Sequence, residues 1–515
     1  MTLLVIAFIA GCLLSLILVP AVAECCRARG LVDHPDGHRK LHAQPIALAG
    51  GIAVFIVVAL VASWGQATNP DLALAFAREP AFYIGLGLSA LVLLLTGVVD
   101  DLVGLRGRQK LAGQVVACLI LIGSGLIIHR AQAFGTVVEL GLLSFPITLL
   151  WLLGAINAVN LLDGINGLAA TVGITAAGAL ALMSQIGGHP AEAFLAAALA
   201  GGLLGFLRYN FPKASVFLGD AGSMLIGLLI AALSIQSSLK GPGTVLLGAP
   251  LCLMAIPFFD SAAAIIRRKL TGRSIFSTDR AHLHHCLTDR FGGLTAVLIV
   301  GIGCSVTAMA AISGIWWQND SVALISAAAV IVVFMATRIF GYTELRLLAA
   351  RMHALMASLV QVRIHDGNCG KQTEVRLQGN RQWNLLWSTL TAAADEIELQ
   401  RLELDVNAPS LKEGYHAKWE NTTRVSDELL WRFELPLVAL GHKVGHVRIA
   451  AERKLDSAAG EVDQVLFILD GFEERLSAML SDVEEAQKST AELDHRAERD
   501  GRRDASLTAE SAILR

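Results

Sequence analysis

The sequence predicts a multi-span α-helical membrane protein, about eleven transmembrane helices followed by a cytoplasmic α+β domain, and three observations predict it. Hydrophobic residues fill 54% of the 515 positions and charged residues only 17%, where a soluble chain carries about a quarter charged residues; mean hydropathy is +0.58. The apolar residues gather into runs close to the roughly 20 residues that a bilayer crossing needs, and the runs stop near residue 340. Lys and Arg crowd every second loop between those runs. The apolar content excludes a disordered chain, and a net charge of −3 leaves no basic footprint for nucleic acid. The 8 cysteines include no Cys-x-x-Cys pair, so neither a disulfide framework nor a zinc site is indicated. Cys25 and Cys26, just past the first run, read as small buried thiols rather than acylation sites.

In order, the eleven runs are roughly 3–22, 46–64, 82–99, 111–129, 144–161, 167–186, 191–207, 221–239, 244–266, 293–313 and 321–340. The first ends in Ala21-Val22-Ala23, as a cleavable signal does, but residues 1–10 hold no Lys or Arg, so the basic n-region is missing. It reads as an uncleaved helix with its N-terminus outside. One alternate set of loops carries fifteen Lys and Arg, including Arg27, Arg29, Arg39, Lys40, Arg106, Lys110, Arg208 and Arg267–Lys269, and the other set carries only Arg78, Arg130 and Lys240. The basic set, and with it the C-terminus, belongs to the cytoplasm.

Residues 1–340 therefore form a polytopic membrane domain. Residues 341–372 read as an amphipathic helical linker, in which Leu345, Leu348, Met352, Leu355, Leu359 and Val362 step 3-4-3-4-3; such a seam suits packing on its own domain or a homodimer coil. Residues 373–486 read as a soluble α+β domain whose role stays open between dimerisation and regulation. Strand-like alternation runs over Glu374–Leu377, Leu402–Val406, Leu430–Leu435 and His446–Ala450, with helical patterns near 381–400 and 461–486. The segment Glu434–Ile449 resembles the paired strands of GAF-type sensor domains. Residues 487–515 are charged and read as disordered.

The polar residues concentrate in the cytoplasmic loops. The first cluster is Asp33-His-Pro-Asp-Gly-His-Arg39-Lys40-Leu-His42, whose Arg39, Lys40 and His42 offer donors to phosphate oxygens. The second is Asp100-Asp101 at the end of an apolar run, followed by Lys110 and Gln114. Adjacent carboxylates at a membrane edge are costly unless used; they suit a divalent cation or a general base, or a helix end paired with Arg106 or Lys110. The third is Asn157-Ala-Val-Asn160-Leu-Leu-Asp163-Gly-Ile-Asn166-Gly167; residues three apart share a helix face, and a capped turn alone does not explain Asn157 and Asn160 inside a span. The fourth runs from Arg208 and Asn210 to Phe217-Leu-Gly219-Asp220-Ala-Gly-Ser223, an Asp heading an apolar run, flanked by glycines that let phosphate and metal approach. The fifth is Asp260 within a run, then Arg267-Arg268-Lys269 and Asp279-Arg280-Ala-His282-Leu-His284-His285. His-x-His-His beside Arg reads better as a diphosphate or sugar-phosphate contact than as zinc, with anionic headgroup binding as the plainer alternative. Carboxylates for Mg²⁺ and basic groups for phosphates, all at one bilayer face, imply phosphoryl transfer involving a membrane-resident acceptor.

Those five motifs, in this order over about residues 30–290, resemble the polyprenyl-phosphate N-acetylhexosamine-1-phosphate transferases, closest to the undecaprenyl-phosphate N-acetylglucosamine-1-phosphate enzymes. The resemblance implies a bacterial inner-membrane enzyme. It would take a UDP-amino sugar and undecaprenyl phosphate, release UMP and prime a cell-surface glycan among membrane lipids. It implies Mg²⁺, with Mn²⁺ as a substitute, held chiefly by Asp220 with Asp100 and Asp101. Asp100 and Asp101 would deprotonate or orient the lipid phosphate, and Asp163 and Asn160 would position nucleotide or metal. Phe217 would stack on uracil near Asn210. Arg280, His282, His284 and His285 would hold the diphosphate and sugar. Direct attack is preferred over a two-step aspartyl-phosphate route. The family's usual Asp-Gly-x-Asp-Gly reads Asp163-Gly-Ile-Asn166-Gly here, so Asn166 cannot act as a base.

The Asp279–His285 stretch and Leu48-Ala-Gly-Gly51 resemble the glycan-priming branch rather than the phospho-N-acetylmuramoyl-pentapeptide transferases of peptidoglycan synthesis, which remain the alternative. A secondary transporter would keep its site near the midplane on broken helices, and a membrane sensor would have no use for the intact Asp100-Asp101 and Asp220.

Overall fold

The computed structural model describes residues 1–33, 45–241, 244–246, 248–270, 282–317, 319–337 and 339–342. In the C-terminal part it describes chiefly 371–378, 399–408, 413–421, 430–439 and 442–452. Arg39, Lys40, His42 and Arg280, most of the 341–372 linker and the whole 487–515 tail lie outside the described residues. The chain divides into two compact units, one built mainly from Met1–Lys269 and Ala281–Glu344 and the other mainly from Leu345–Arg515.

The first unit is helical: α1 (Thr2–Ala28), α2 (Gly50–Thr68), α3 (Pro70–Arg78), α4 (Pro80–Val103), α5 (Gly107–Gly123), α6 (Ser144–Leu162), α7 (Leu168–Gly187), α8 (Pro190–Asn210), α9 (Gly219–Ser237), α10 (Gly248–Leu253), α11 (Ala255–Leu270), α12 (Leu283–Phe291), α13 (Gly293–Trp316) and α14 (Asp320–Ala336). Among the described residues eight helices, α1, α2, α4, α6 with its leading turn, α7, α8, α9 and α13, are long and apolar enough to cross a bilayer. This is a multi-pass membrane protein. The expected crossings at 111–129 and 321–340 are the 17-residue helices α5 and α14. The expected crossing at 244–266 is not one helix: it starts as a strand, becomes α10, and breaks at Met254 before α11. Pro257 explains the break, because a ring in the first turn of α11 is tolerated where one in mid-helix would clash with the preceding turn.

Burial and hydropathy run in opposite directions. The spanning window of α9 is 89% buried with hydropathy 1.5, and that of α1 is 28% buried with hydropathy 2.9. Lipid-facing α1 is rich in Leu and Ile, while α8 and α9 carry the Ala, Gly and Ser that allow helices to approach. α9 is the central post, packed on α2, α4, α6, α7 and α8.

Two small sheets close the ends. One is β1 (Val32–Asp33), β2 (Ile46–Leu48) and β5 (Val216–Phe217), with β2 parallel to β5 so that Leu48 sits beside Phe217. The expected crossing at 46–64 thus starts later than its apolar run. The other sheet orders β4 (Thr136–Glu139), β3 (Arg130–Ala133), β7 (Thr244–Leu246) and β6 (Leu239–Gly241), in loops that the polar pattern leaves almost featureless.

The second unit holds an antiparallel sheet in the order β11 (Leu430–Ala439), β12 (His442–Glu452), β9 (Arg401–Ala408), β10 (Glu413–Glu420) and β8 (Lys371–Gln378). One face is apolar: Leu402, Leu404 and Val406 of β9 and Tyr415, Ala417 and Trp419 of β10 are buried together. All four expected alternations lie in strands. β10 escapes the sequence reading because Glu413, His416, Lys418 and Glu420 mask its inward Tyr-Ala-Trp alternation.

Candidate active site

Four helix ends meet at one end of the helical unit. α4 ends with Asp100 and Asp101, α5 begins with Lys110, α6 ends with Asn157 and Asn160 leading into Asp163, and α9 begins with Asp220. Small residues bring these ends together. A methyl group on Gly97 of α4 would lie 2.3 Å from Ala221, and one on Gly51 of α2 would lie 2.3 Å from the Gly222 backbone. Gly219 turns the chain from β5 into α9 at φ +73°, a left-handed conformation that favours glycine.

The side chains form one connected network. Lys110 Nζ lies 3.0 Å from Asp100 Oδ2 and 2.7 Å from Asp220 Oδ2. Asn160 Nδ2 donates to Asp220 Oδ1 at 2.6 Å and to Ser223 Oγ at 2.9 Å. The Asp220 backbone N–H donates to Asp101 Oδ1 at 3.2 Å, which sets a carboxylate at the positive end of α9. Asp100 Oδ1 accepts from Leu105 N at 2.7 Å, closing the α4–α5 turn. Both oxygens of Asp100 are thus engaged, whereas Asp101 Oδ2 is buried with no hydrogen-bond partner among the described residues. One layer deeper, Asn157 Nδ2 donates to Gln114 Oε1 at 2.8 Å and Gln114 Nε2 returns a bond to Asn157 Oδ1 at 3.2 Å. Asn157 therefore braces α5 against α6 behind Asn160.

Asp163 follows α6 in the loop to α7. Burial, then the charges of Asp220 and Asp101, push its carboxyl up to about 8. Asn210 is buried and spans this loop and β5: its Oδ1 accepts from Gly167 N at 2.7 Å and its Nδ2 donates to Val216 O at 3.0 Å. It holds the strand that carries the half-buried Phe217, on the rim of the same site. Asn166 is exposed and donates to Pro212 O at 3.3 Å.

The His motif reaches the site through the same loop. A methyl group on Gly164 would lie 2.1 Å from His284 Nε2, so the imidazole rests on the backbone beside Asp163. His284 is stacked against His282, ring centroids 5.8 Å apart, and lies 4.2 Å from the His285 ring. Burial, then the neighbouring His285, push His284 down to about 3, so it is neutral at physiological pH. Sequence reasoning quotes Gln114 and Ser223 within motifs without a role; a Gln inside an apolar run was the available signal for the first.

Among the described residues Asp100, Asp101 and Asp220 face the single ammonium of Lys110, which leaves the pocket with excess negative charge even with Asp163 protonated. An all-oxygen donor set with a buried, unpartnered carboxylate oxygen fits a hard divalent cation such as Mg²⁺. Among the described residues no three His, Cys, Asp or Glu side chains already surround a common point.

The glycosyl transferase family 4 model matches residues 83–238, a stretch that holds Asp100, Asp101, Lys110, Asn160, Asp163 and Asp220. A probable undecaprenyl-phosphate N-acetylglucosaminyl 1-phosphate transferase of Bacillus subtilis is 32% identical over 327 residues, covering 61% of this chain and 87% of the relative. The chain belongs to glycosyl transferase family 4. A decaprenyl-phosphate N-acetylglucosaminephosphotransferase of Mycolicibacterium smegmatis is 33% identical over 340 residues, 60% of this chain and 82% of the relative. A phospho-N-acetylmuramoyl-pentapeptide-transferase of Shouchella clausii is 30% identical over 333 residues, 61% of this chain and 97% of the relative. In this member of family 4 the matched stretch contains the whole carboxylate network, while His282–His285 lie beyond it and join through Gly164.

Proposed function

We propose that this family 4 protein transfers N-acetylglucosamine-1-phosphate from UDP-N-acetylglucosamine to undecaprenyl phosphate, at the cytoplasmic face of a bacterial inner membrane, and so primes a surface glycan. The observation that carries the reading is the direct contact of Asp100, Lys110, Asn160 and Asp220 from four helix ends, in a chain whose relatives bear names of that activity. With α5, α14 and the α10–α11 pair as further crossings, the reading has eleven spans and an outside N-terminus, which agrees with the Lys and Arg distribution.

A phosphate oxygen of the lipid attacks the sugar-linked phosphorus of the UDP-sugar. The new P–O bond joins lipid phosphate to sugar phosphate, the bridging P–O bond breaks, and UMP leaves with the electron pair. Asp101, with its uncommitted Oδ2, orients the lipid phosphate and takes any proton it carries. Lys110 offsets charge on the transferring phosphoryl oxygens, and Asn160 keeps Asp220 in one rotamer. Mg²⁺, when held by Asp220 with Asp100 and Asp101, would supply further neutralisation of the diphosphate. His284, neutral and packed on Gly164, offers a hydrogen bond to sugar or diphosphate beside Asp163.

The test is radiolabel transfer in purified membranes with undecaprenyl phosphate, Mg²⁺ and sugar-labelled UDP-N-acetylglucosamine. Butanol-extractable label with released UMP, lost on adding EDTA or in Asp220→Asn, is the expected result. Release of UDP, or transfer only from the pentapeptide nucleotide, overturns it.

A further inference from the structure

Asp260 lies on α11, fully buried, outside the carboxylate network. Its Oδ1 accepts the Leu283 backbone N–H at 2.8 Å, and its Oδ2 lies 3.2 Å from His282 Nδ1. Leu283 is the first residue of α12 and His282 its N-cap, so one carboxylate holds both the first free N–H of that helix and the ring that precedes it. The helix dipole favours an anion there. Leu283 and Leu287 are themselves fully buried beside Leu162, Leu168 and Ala263, so α12 cannot rotate without emptying that contact. On the far side of His282, Nε2 sits 3.5 Å from Arg268 Nη2. An Arg always donates, so the arrangement requires the proton on Nδ1, facing Asp260, and the lone pair on Nε2. The next ring along α12, His284, is the one pressed on Gly164.

We propose that Asp260 is a positioning residue of the transferase site: through His282 and the Leu283 N–H it fixes the tautomer of the His motif and seats His284 against the Asp163 loop. This rests on the reading given under Proposed function. An amide at 260 can match only one of its two partners. If its oxygen keeps the Leu283 N–H, its NH₂ faces His282 Nδ1 and drives the ring proton to Nε2, against Arg268.

The experiment uses the full chain in detergent or nanodiscs, with Asp260→Asn and Asp260→Ala, alone and combined with His282→Ala. Hydrogen exchange of the 282–291 segment is read alongside kcat and KM for UDP-N-acetylglucosamine. Asp260→Asn is expected to raise KM at least tenfold with a smaller change in kcat, and to add nothing in the His282→Ala background. Asp260→Ala is expected to speed exchange at the start of α12 and leave α4 and α9 unchanged. Wild-type kinetics in Asp260→Asn, or a full additional loss on top of His282→Ala, overturns the proposal. Unchanged exchange over 282–291 in Asp260→Ala overturns it whatever the substrate proves to be. Normal tethering with no sugar-phosphate transfer by the wild type would instead refute the transferase reading.

Discussion

Lys110 Nζ stands 2.7 Å from Asp220 Oδ2, a salt bridge that joins the first turn of α5 to the first turn of α9. The same ammonium also holds Asp100, so one cation ties together two of the Asp side chains that gather in this pocket. Lys110→Met should therefore cut turnover about 100-fold or more, as loss of a single preorganised charge does at other phosphoryl and acyl sites. The same variant should lower the Mg²⁺ concentration for half-maximal rate, since an ammonium no longer competes for Asp220. Metal titrations of initial rate in membranes check both.

Gly219→Ala is expected to abolish transfer while leaving the protein in the membrane. The position has φ +73° and an added methyl would lie 2.6 Å from Asp101 Oδ2, so both the turn into α9 and the Asp101–Asp220 bond must shift. The strain alone costs about 1–2 kcal/mol. Rate and detergent-extracted thermal midpoint, measured together, separate the two effects: a rate within threefold of wild type contradicts this geometry.

Asn157→Leu should lose stability more than catalysis. Its amide exchanges two hydrogen bonds with buried Gln114, and leaving that Gln unsatisfied costs about 1–3 kcal/mol. Thermal midpoint should fall and KM for the UDP-sugar should stay within about threefold, with the Gln114→Leu/Asn157→Leu double variant recovering part of the loss. By contrast Asn160→Leu, which frees Asp220 Oδ1, should depress kcat.

His284 makes stability fall in acid. Its folded value, pushed down to about 3, lies below the roughly 6.5 of an unfolded histidine, so the unfolded chain binds the extra proton first. Its contribution is complete above about pH 6.5 and is lost as pH falls, by about 2 kcal/mol at pH 5. Thermal midpoints between pH 7.5 and 5 should drop in the wild type and drop less in His284→Gln.

Much of the site was legible because a carboxylate or amide at the end of an apolar run is conspicuous. Asp100-Asp101, Asn160, Asp163 and Asp220 stand out against Leu, Val and Ala, and the structure gathers them. What was not legible is which group meets which. Both readings of Asp100-Asp101 turn out to share residues: the helix-end pairing with Lys110 exists, and the same Lys110 reaches Asp220. No periodicity couples Gln114 to Asn157, or Asp260 to His282, because those contacts cross between helices distant in sequence. The run at 244–266 read as one crossing because hydropathy averages over Pro257 without registering a backbone break. The short strands β1, β2 and β5 carry too few residues for a period of two to show.

The inverse relation between burial and hydropathy has a consequence for how the protein is made. α9, with its modest hydropathy of 1.5, gains less from lipid than any Leu-rich span, and its stability comes from neighbours. Its main partners α2, α4, α6, α7 and α8 all precede it along the chain. During synthesis each of them emerges first, so the main packing partners of the helix that bears Asp220 are available when it appears, and the carboxylate cluster can close only once α9 joins them.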